Sequence, residues 1–183
     1  MGWDWSNRKP GMTTRAYFER EFGHGTPEAK TEFVGTAMVG ATFYAAVREL
    51  ATGKVFALVC LTQRQRGYFN FGYKSMDENM GPNEAEMPPK LLDMLTPTDH
   101  EYATEWRYQC RLNAEKKALA AAAPYGTHIR LSRPVKFSGK LFVTDFLIHN
   151  AKAGRMVALA PLGRKFQCGL GADWATRYNW KKV

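Results

Sequence analysis

The chain has 183 residues, 45% of them apolar and 13% aromatic, with 26 Lys and Arg against 17 Asp and Glu for a net charge of +9. That is enough apolar material for a buried core without staples, and it excludes an intrinsically disordered chain. The three cysteines, Cys60, Cys110 and Cys168, lie far apart and form no C-x-x-C pair, which excludes a disulfide framework and fits small buried thiols in a reducing compartment.

Taken in order, Trp3 and Trp5 stand two residues apart, a strand-like spacing that puts both indoles on one side as packing anchors. The start Met1-Gly2-Trp3-Asp4 fits the loose acylation pattern only formally, because Trp3 and Asp4 crowd the acceptor glycine. Thr13 and Thr14 offer an N-cap for a short helix through Phe22, with Gly23 as its stop. Period-two patterning rich in β-formers then fills 33–39, 42–50, 55–61 and 68–74, which predicts a four-stranded antiparallel meander. Thr52-Gly53 reads as a hairpin turn, and Gly35 and Gly40 as a bulge or bend.

Pro82, Pro88 and Pro89 break regular structure through an acidic, methionine-rich loop, and Pro89 suits the first turn of a short helix over Leu91, Leu92 and Leu95. Thr98-Asp99-His100-Glu101 has the form of a capping box. Beyond it, small or apolar residues at 102, 106, 110, 114 and 118 predict the longest helix, from about Asp99 to Ala123, before Pro124 closes it. Strands are predicted again at 129–137, 141–150, 155–160 and 165–168, with turns at Ser138-Gly139 and 161–163, and a last strand near 177–181. The fold class is therefore α+β: an antiparallel meander, one long helix packed across it, and a C-terminal curved β-sheet or small barrel-like unit. With no flexible linker, 1–183 reads as one compact domain with subregions 1–97, 98–125 and 126–183.

Charge is unevenly placed. Residues 67–101 carry seven carboxylates against two lysines, net −5, whereas 126–183 carry eleven Lys and Arg against two Asp, net +9. Such asymmetry points to a polyanionic partner, or to the halves steering each other or a second protein. Nothing resembles a signal peptide, and the apolar runs are strand-sized, so the expected location is the cytoplasm.

The strings Met1-Gly2-Trp3 with Arg8 and Gly11, Tyr17 with Arg20-Glu21-Phe22, Asn70-Phe71-Gly72-Tyr73-Lys74, Met76-Asp77-Glu78, Met80-Gly81-Pro82, Leu95-Thr96-Pro97-Thr98 and Glu105-Trp106-Arg107 are together familiar. Over roughly the first 110 residues the chain resembles a family of uncharacterised small proteins of bacteria and their phages and plasmids. That family has no assigned activity, so the resemblance implies no functional residues. It implies a mobile-element accessory protein working in a bacterial host cell.

Three function classes follow. In the first, a non-enzymatic factor binds nucleic acid or a nucleic-acid-processing host complex, with Lys136, Lys140, Arg164, Lys165, Arg177 and Lys181 supplying phosphate contacts and Trp174 and Trp180 stacking on bases. In the second, a protein-binding inhibitor of a host factor works through loop 76–87, with Met76, Met80 and Met87 as adaptable contacts beside Asp77 and Glu78. In the third, a divalent-metal phosphoesterase uses Asp77 and Glu78 with Lys74, joined by Glu84, Glu86, Asp93 or His100. The other reading of those carboxylates is structural: an acidic loop that caps nearby backbone and pairs with Arg107 or Arg111. His24, His100, His128 and His149 are scattered without zinc spacing, no nucleophile elbow is present, and Gly169-Leu170-Gly171 lacks a dinucleotide-site context. No cofactor is implied, and the catalytic and metal residue sets are empty.

Overall fold

A computed structural model describes residues 2–22, 30–64, 70–124, 126–137, 140–150, 155–159, 165–170 and 174–183. The expectations placed on Gly23, His24, Tyr68, Phe69, Ser138-Gly139, 161–163, Arg164 and Gly171 fall outside these residues. The chain divides into two compact units, Met1–Ala114 and Glu115–Val183, with the boundary inside the long helix.

The first unit is built on a five-stranded antiparallel sheet in the order β1-β5-β4-β3-β2. Its strands are β1 (Asp4–Ser6), β2 (Thr31–Val39), β3 (Thr42–Glu49), β4 (Val55–Arg64) and β5 (Phe71–Asp77). The predicted meander is present, and the tryptophan-bearing start adds a fifth strand through the pairing of Trp5 with Gly72. A side chain on Gly72 would enter the Trp5 ring at 2.7 Å, so glycine there lets the indole lie flat across the sheet edge.

Strand β3 is buried on both faces, and its alternation separates two cores. Phe43, Ala45 and Val47 meet Cys60, Phe71 and the helix α1 (Thr14–Phe22), which inserts Tyr17 and Phe18. Thr13 caps that helix by accepting a hydrogen bond from the Ala16 N–H at 3.1 Å. On the other face Tyr44 and Ala46 join Val55, Ala57 and Val59 beneath Met87, Leu92, Trp106 and Cys110. These come from the extended stretch after β5, from α2 (Pro89–Leu92) and from α3 (Glu101–Ala121). Gly35, at the bulge in β2, brings α2 close: a side chain there would lie 2.7 Å from Leu91.

Helix α3 begins at Glu101, two residues later than a capping box at Thr98 would place it. The Thr98 hydroxyl accepts instead from the His100 N–H, forming a short turn ahead of the helix. No helix among the described residues is long and apolar enough to cross a membrane.

The second unit contains another five-stranded antiparallel sheet, ordered β10-β6-β7-β8-β9. Its strands are β6 (His128–Phe137), β7 (Leu141–Asn150), β8 (Arg155–Leu159), β9 (Lys165–Gly169) and β10 (Trp180–Lys182). The sheet is open, with β10 and β9 at its edges, so the sheet form of the expectation holds and barrel closure does not. The last predicted strand, near 177–181, is corrected: Trp174–Arg177 forms the one-turn helix α4, and only Trp180–Lys182 pairs with β6. The core holds Ile129, Leu131, Val143, Phe146, Ile148, Leu170 and Trp174.

Candidate nucleic-acid interface

Strand β6 alternates buried Ile129 and Leu131 with exposed Arg130 and Ser132. Cross-strand partners share a face of an antiparallel sheet. Because Lys181 pairs with Arg130 and Arg130 pairs with Asp145, the three form one row running across β10, β6 and β7. Nearer the β6–β7 hairpin, past an irregularity between Arg130 and Val135, Lys136 pairs with Phe142, whose ring is 57% exposed. Lys140 precedes β7 with a φ of 65°, in the left-handed backbone region. The exposed side of the sheet thus carries two cationic groups, Arg130 with Lys181 and Lys136 with Lys140, on the order of 15–20 Å apart along β6.

Asp145 supplies the only carboxylate ion pair to this face among the described residues. It accepts from Arg130 Nε at 2.8 Å and from the Thr144 hydroxyl at 2.7 Å. Partial burial acts to raise its pKa, but the hydrogen bonds from Thr144 and Arg130, with the positive charge of Arg130 and His128, outweigh burial and hold the carboxyl below its ordinary range. His128 Nε2 lies 3.4 Å from the same carboxylate, buried and without a hydrogen-bond partner. No carboxylate among the described residues lies within ion-pair distance of Lys136, Lys140, Lys181 or Lys182, and all four are exposed.

The other expected contact residues are dispersed. Arg177 is exposed on α4, over the Tyr178 ring. Lys165 opens β9, at the opposite edge from Lys181, about 19 Å away at the usual strand spacing. The stacking role of Trp174 is corrected, because its side chain is 6% exposed and belongs to the core, 5.4 Å from the Trp180 ring. Trp180 is half-buried and donates its Nε1–H to the Ala175 carbonyl at 3.1 Å, which fixes the ring. Arg130 is the contact residue that sequence reasoning misses, although its alternation with buried Ile129 and Leu131 is the signal that exposes it.

The acidic stretch of the first unit has a different character. Asp77 accepts from the Asn79 N–H at 2.8 Å and so caps a 3-10 turn, Glu78–Met80, that turns Glu78 inward. Glu78 is 2% exposed and takes a bidentate grip from Arg107 Nε and Nη2, each at 2.6 Å, while Arg107 Nη1 donates to the Thr96 carbonyl at 2.7 Å. Asp93 pairs with Arg111 at 3.0 Å. The structural reading of these carboxylates therefore describes Glu78 and Asp93.

Met87 is 1% exposed and Ala85 is buried with it, so Met87 is corrected from a contact surface to a core residue, as is Glu78. Loop carbonyls here are met by side chains: Glu84 O by the Tyr44 hydroxyl and the Trp106 Nε1–H, Ala85 O by Asn113. Met76 and Asp77 are half-buried, and Met80 remains 48% exposed. A pocket of about 740 Å³ beside the ion pair is lined by Glu49, Lys54, Asp77, Asn79, Thr98 and Arg107 among others. No group of three or more His, Cys, Asp or Glu residues among those described is placed to hold a metal ion, so the set expected of a phosphoesterase is not assembled there.

No curated protein and no solved structure matches the chain. Residues 97–168 match the model of a domain of unknown function, DUF6927, which agrees with the resemblance to an uncharacterised family and spans α3 together with β6 to β8 and most of β9.

Proposed function

We propose that this protein is a non-enzymatic nucleic-acid-binding accessory factor of a mobile element, which engages phosphates on the exposed side of the second sheet. One observation carries the reading. Residues 115–183 hold thirteen Lys and Arg against three Asp and Glu, net +10, so the second unit accounts for the whole +9 of the chain and the first is close to neutral at −1. A charge concentrated on one small β unit attracts polyanions through counterion release. The exposed Phe142 beside Lys136 adds an aromatic face of the kind single-stranded bases stack on. The resemblance of the first 110 residues to proteins of bacteria, phages and plasmids supplies the setting.

Filter binding of a labelled oligonucleotide to the full chain at low salt tests this. Binding should be tight for the native sequence, and reversing Lys136 and Lys140 to Glu should weaken it at least tenfold. Reversing the exposed Lys54 and Lys90 of the first unit should change it little. Equal losses from both pairs, or no binding by the native chain, would overturn the proposal.

A further inference from the structure

Between β6 and β10 the second unit holds a pocket of about 470 Å³, lined by Arg130, Leu131, Ser132, Asn179, Trp180 and Lys181. Its lining carries two cationic donors, Arg130 and Lys181. Among the described residues Arg130 spends only Nε, on Asp145, which leaves both terminal nitrogens of the guanidinium, and Lys181 has no ion pair. The Ser132 N–H is bonded to the Asn179 carbonyl at 2.8 Å, just ahead of β10, and the Ser132 hydroxyl has no hydrogen-bond partner among the described residues. Trp180, held through Ala175, forms a fixed apolar side.

We infer that this pocket is a phosphate-binding subsite of the nucleic-acid surface, in which a backbone phosphate takes the Arg130 and Lys181 side chains and displaces Asp145 as the partner of Arg130. The inference rests on the nucleic-acid reading above and deepens it by naming where one phosphate sits and what it competes with. Asp145 occupies, on the next strand, the place an anion would take in the same row of side chains. It is not stranded when Arg130 leaves. Thr144 stays bonded to its second oxygen, and His128 Nε2, buried without a partner 3.4 Å from its first, is placed to take over. Exchange of one anion for another at Arg130 thus leaves no buried charge alone, which is the condition for a low-cost switch.

The test measures affinity of the full chain for a labelled single-stranded oligonucleotide by anisotropy, for the native protein, Asp145→Asn, Arg130→Gln and the double variant. Asp145→Asn should tighten binding about fivefold, the effect of removing one unit charge some 4 Å away in a water-like medium. In the Arg130→Gln background that gain should largely vanish, because the competition has lost its object. A gain that persists undiminished in the double variant is a general charge effect and overturns the subsite.

A second pair of variants does not depend on Asp145 tolerating change. Lys181 and Lys182 are adjacent, exposed and equally charged, but their partners are Arg130 and Ile129, so they lie on opposite faces of β10. Lys181→Met should weaken binding several-fold and flatten the salt dependence by nearly one charge, whereas Lys182→Met should stay within about twofold. Equal effects overturn the subsite while leaving the nucleic-acid reading standing. No binding by the native chain overturns both.

Discussion

Removing the guanidinium of Arg107 is the most informative perturbation of the first unit. Glu78 is 2% exposed and its carboxylate is held by two Arg107 nitrogens at 2.6 Å, with the Ala57 N–H a distant third at 3.3 Å. Arg107→Met leaves that charge buried with one weak neutral donor and also strips the Thr96 carbonyl of its partner. Breaking one side of a buried pair costs about 3–5 kcal/mol, most of it from the stranded charge. Because the chain has two units, native-state hydrogen exchange is the suitable assay, since it reads the loss locally in β4 and β5. Protection of those amides should fall by roughly two to three and a half powers of ten. Replacing both partners, Arg107→Met with Glu78→Leu, should recover most of it. A loss under about tenfold for the single variant, or a double variant no better than the single, would refute the argument that the pair is buried and mutually dependent.

Further expectations concern the same unit. Gly72→Ala should drive a methyl into the Trp5 ring, cost about 1–3 kcal/mol and abolish the exchange protection of β1; retained protection would mean that the strand edge yields instead. Burial pushes the Cys110 thiol up from 9.0 to about 11 and the Tyr44 hydroxyl up from 10.0 to about 12, and raises Cys60 further still. The unfolded chain therefore loses these protons at a pH where the folded one keeps them. The stability they contribute is complete below pH 9 and is lost as pH rises toward 12, so the melting temperature should fall through that window. Iodoacetamide at pH 8 should leave Cys60 and Cys110 unmodified in the native protein, as mass spectrometry would show, because both are fully buried.

Much of the fold was legible because it is written locally. Alternation marks β2 to β5, Thr13 and Pro89 open their helices, and Thr52-Gly53 turns the β3–β4 hairpin. What local pattern does not carry is the choice of face and partner across long separations. Glu78 finds Arg107 29 positions away, and nothing in the string Asp77-Glu78 says which of the two turns inward; the cap made by Asp77 decides it. In an acidic, methionine-rich loop Met87 reads as an adaptable surface contact. Yet Ala85 and Met87 alternate with Glu84 and Glu86, the period-two signal of a segment lying on a sheet.

Trp174 shows the converse: an aromatic among cations suggested a stacking platform, but α4 turns it into the core. The cationic side of the second sheet was legible in charge. Its geometry was not, because the row Lys181, Arg130, Asp145 needs the β10–β6 and β6–β7 registers together.

The central claim is that cations of the second unit gather where a polyanion can reach them. It is tested most directly by the salt dependence of oligonucleotide affinity for the full chain. If the four exposed cations Arg130, Lys136, Lys140 and Lys181 meet phosphates, the log of the association constant should fall linearly with the log of salt concentration at a slope of about −3 to −3.5. A slope near zero, or no measurable affinity at the lowest salt, would contradict it.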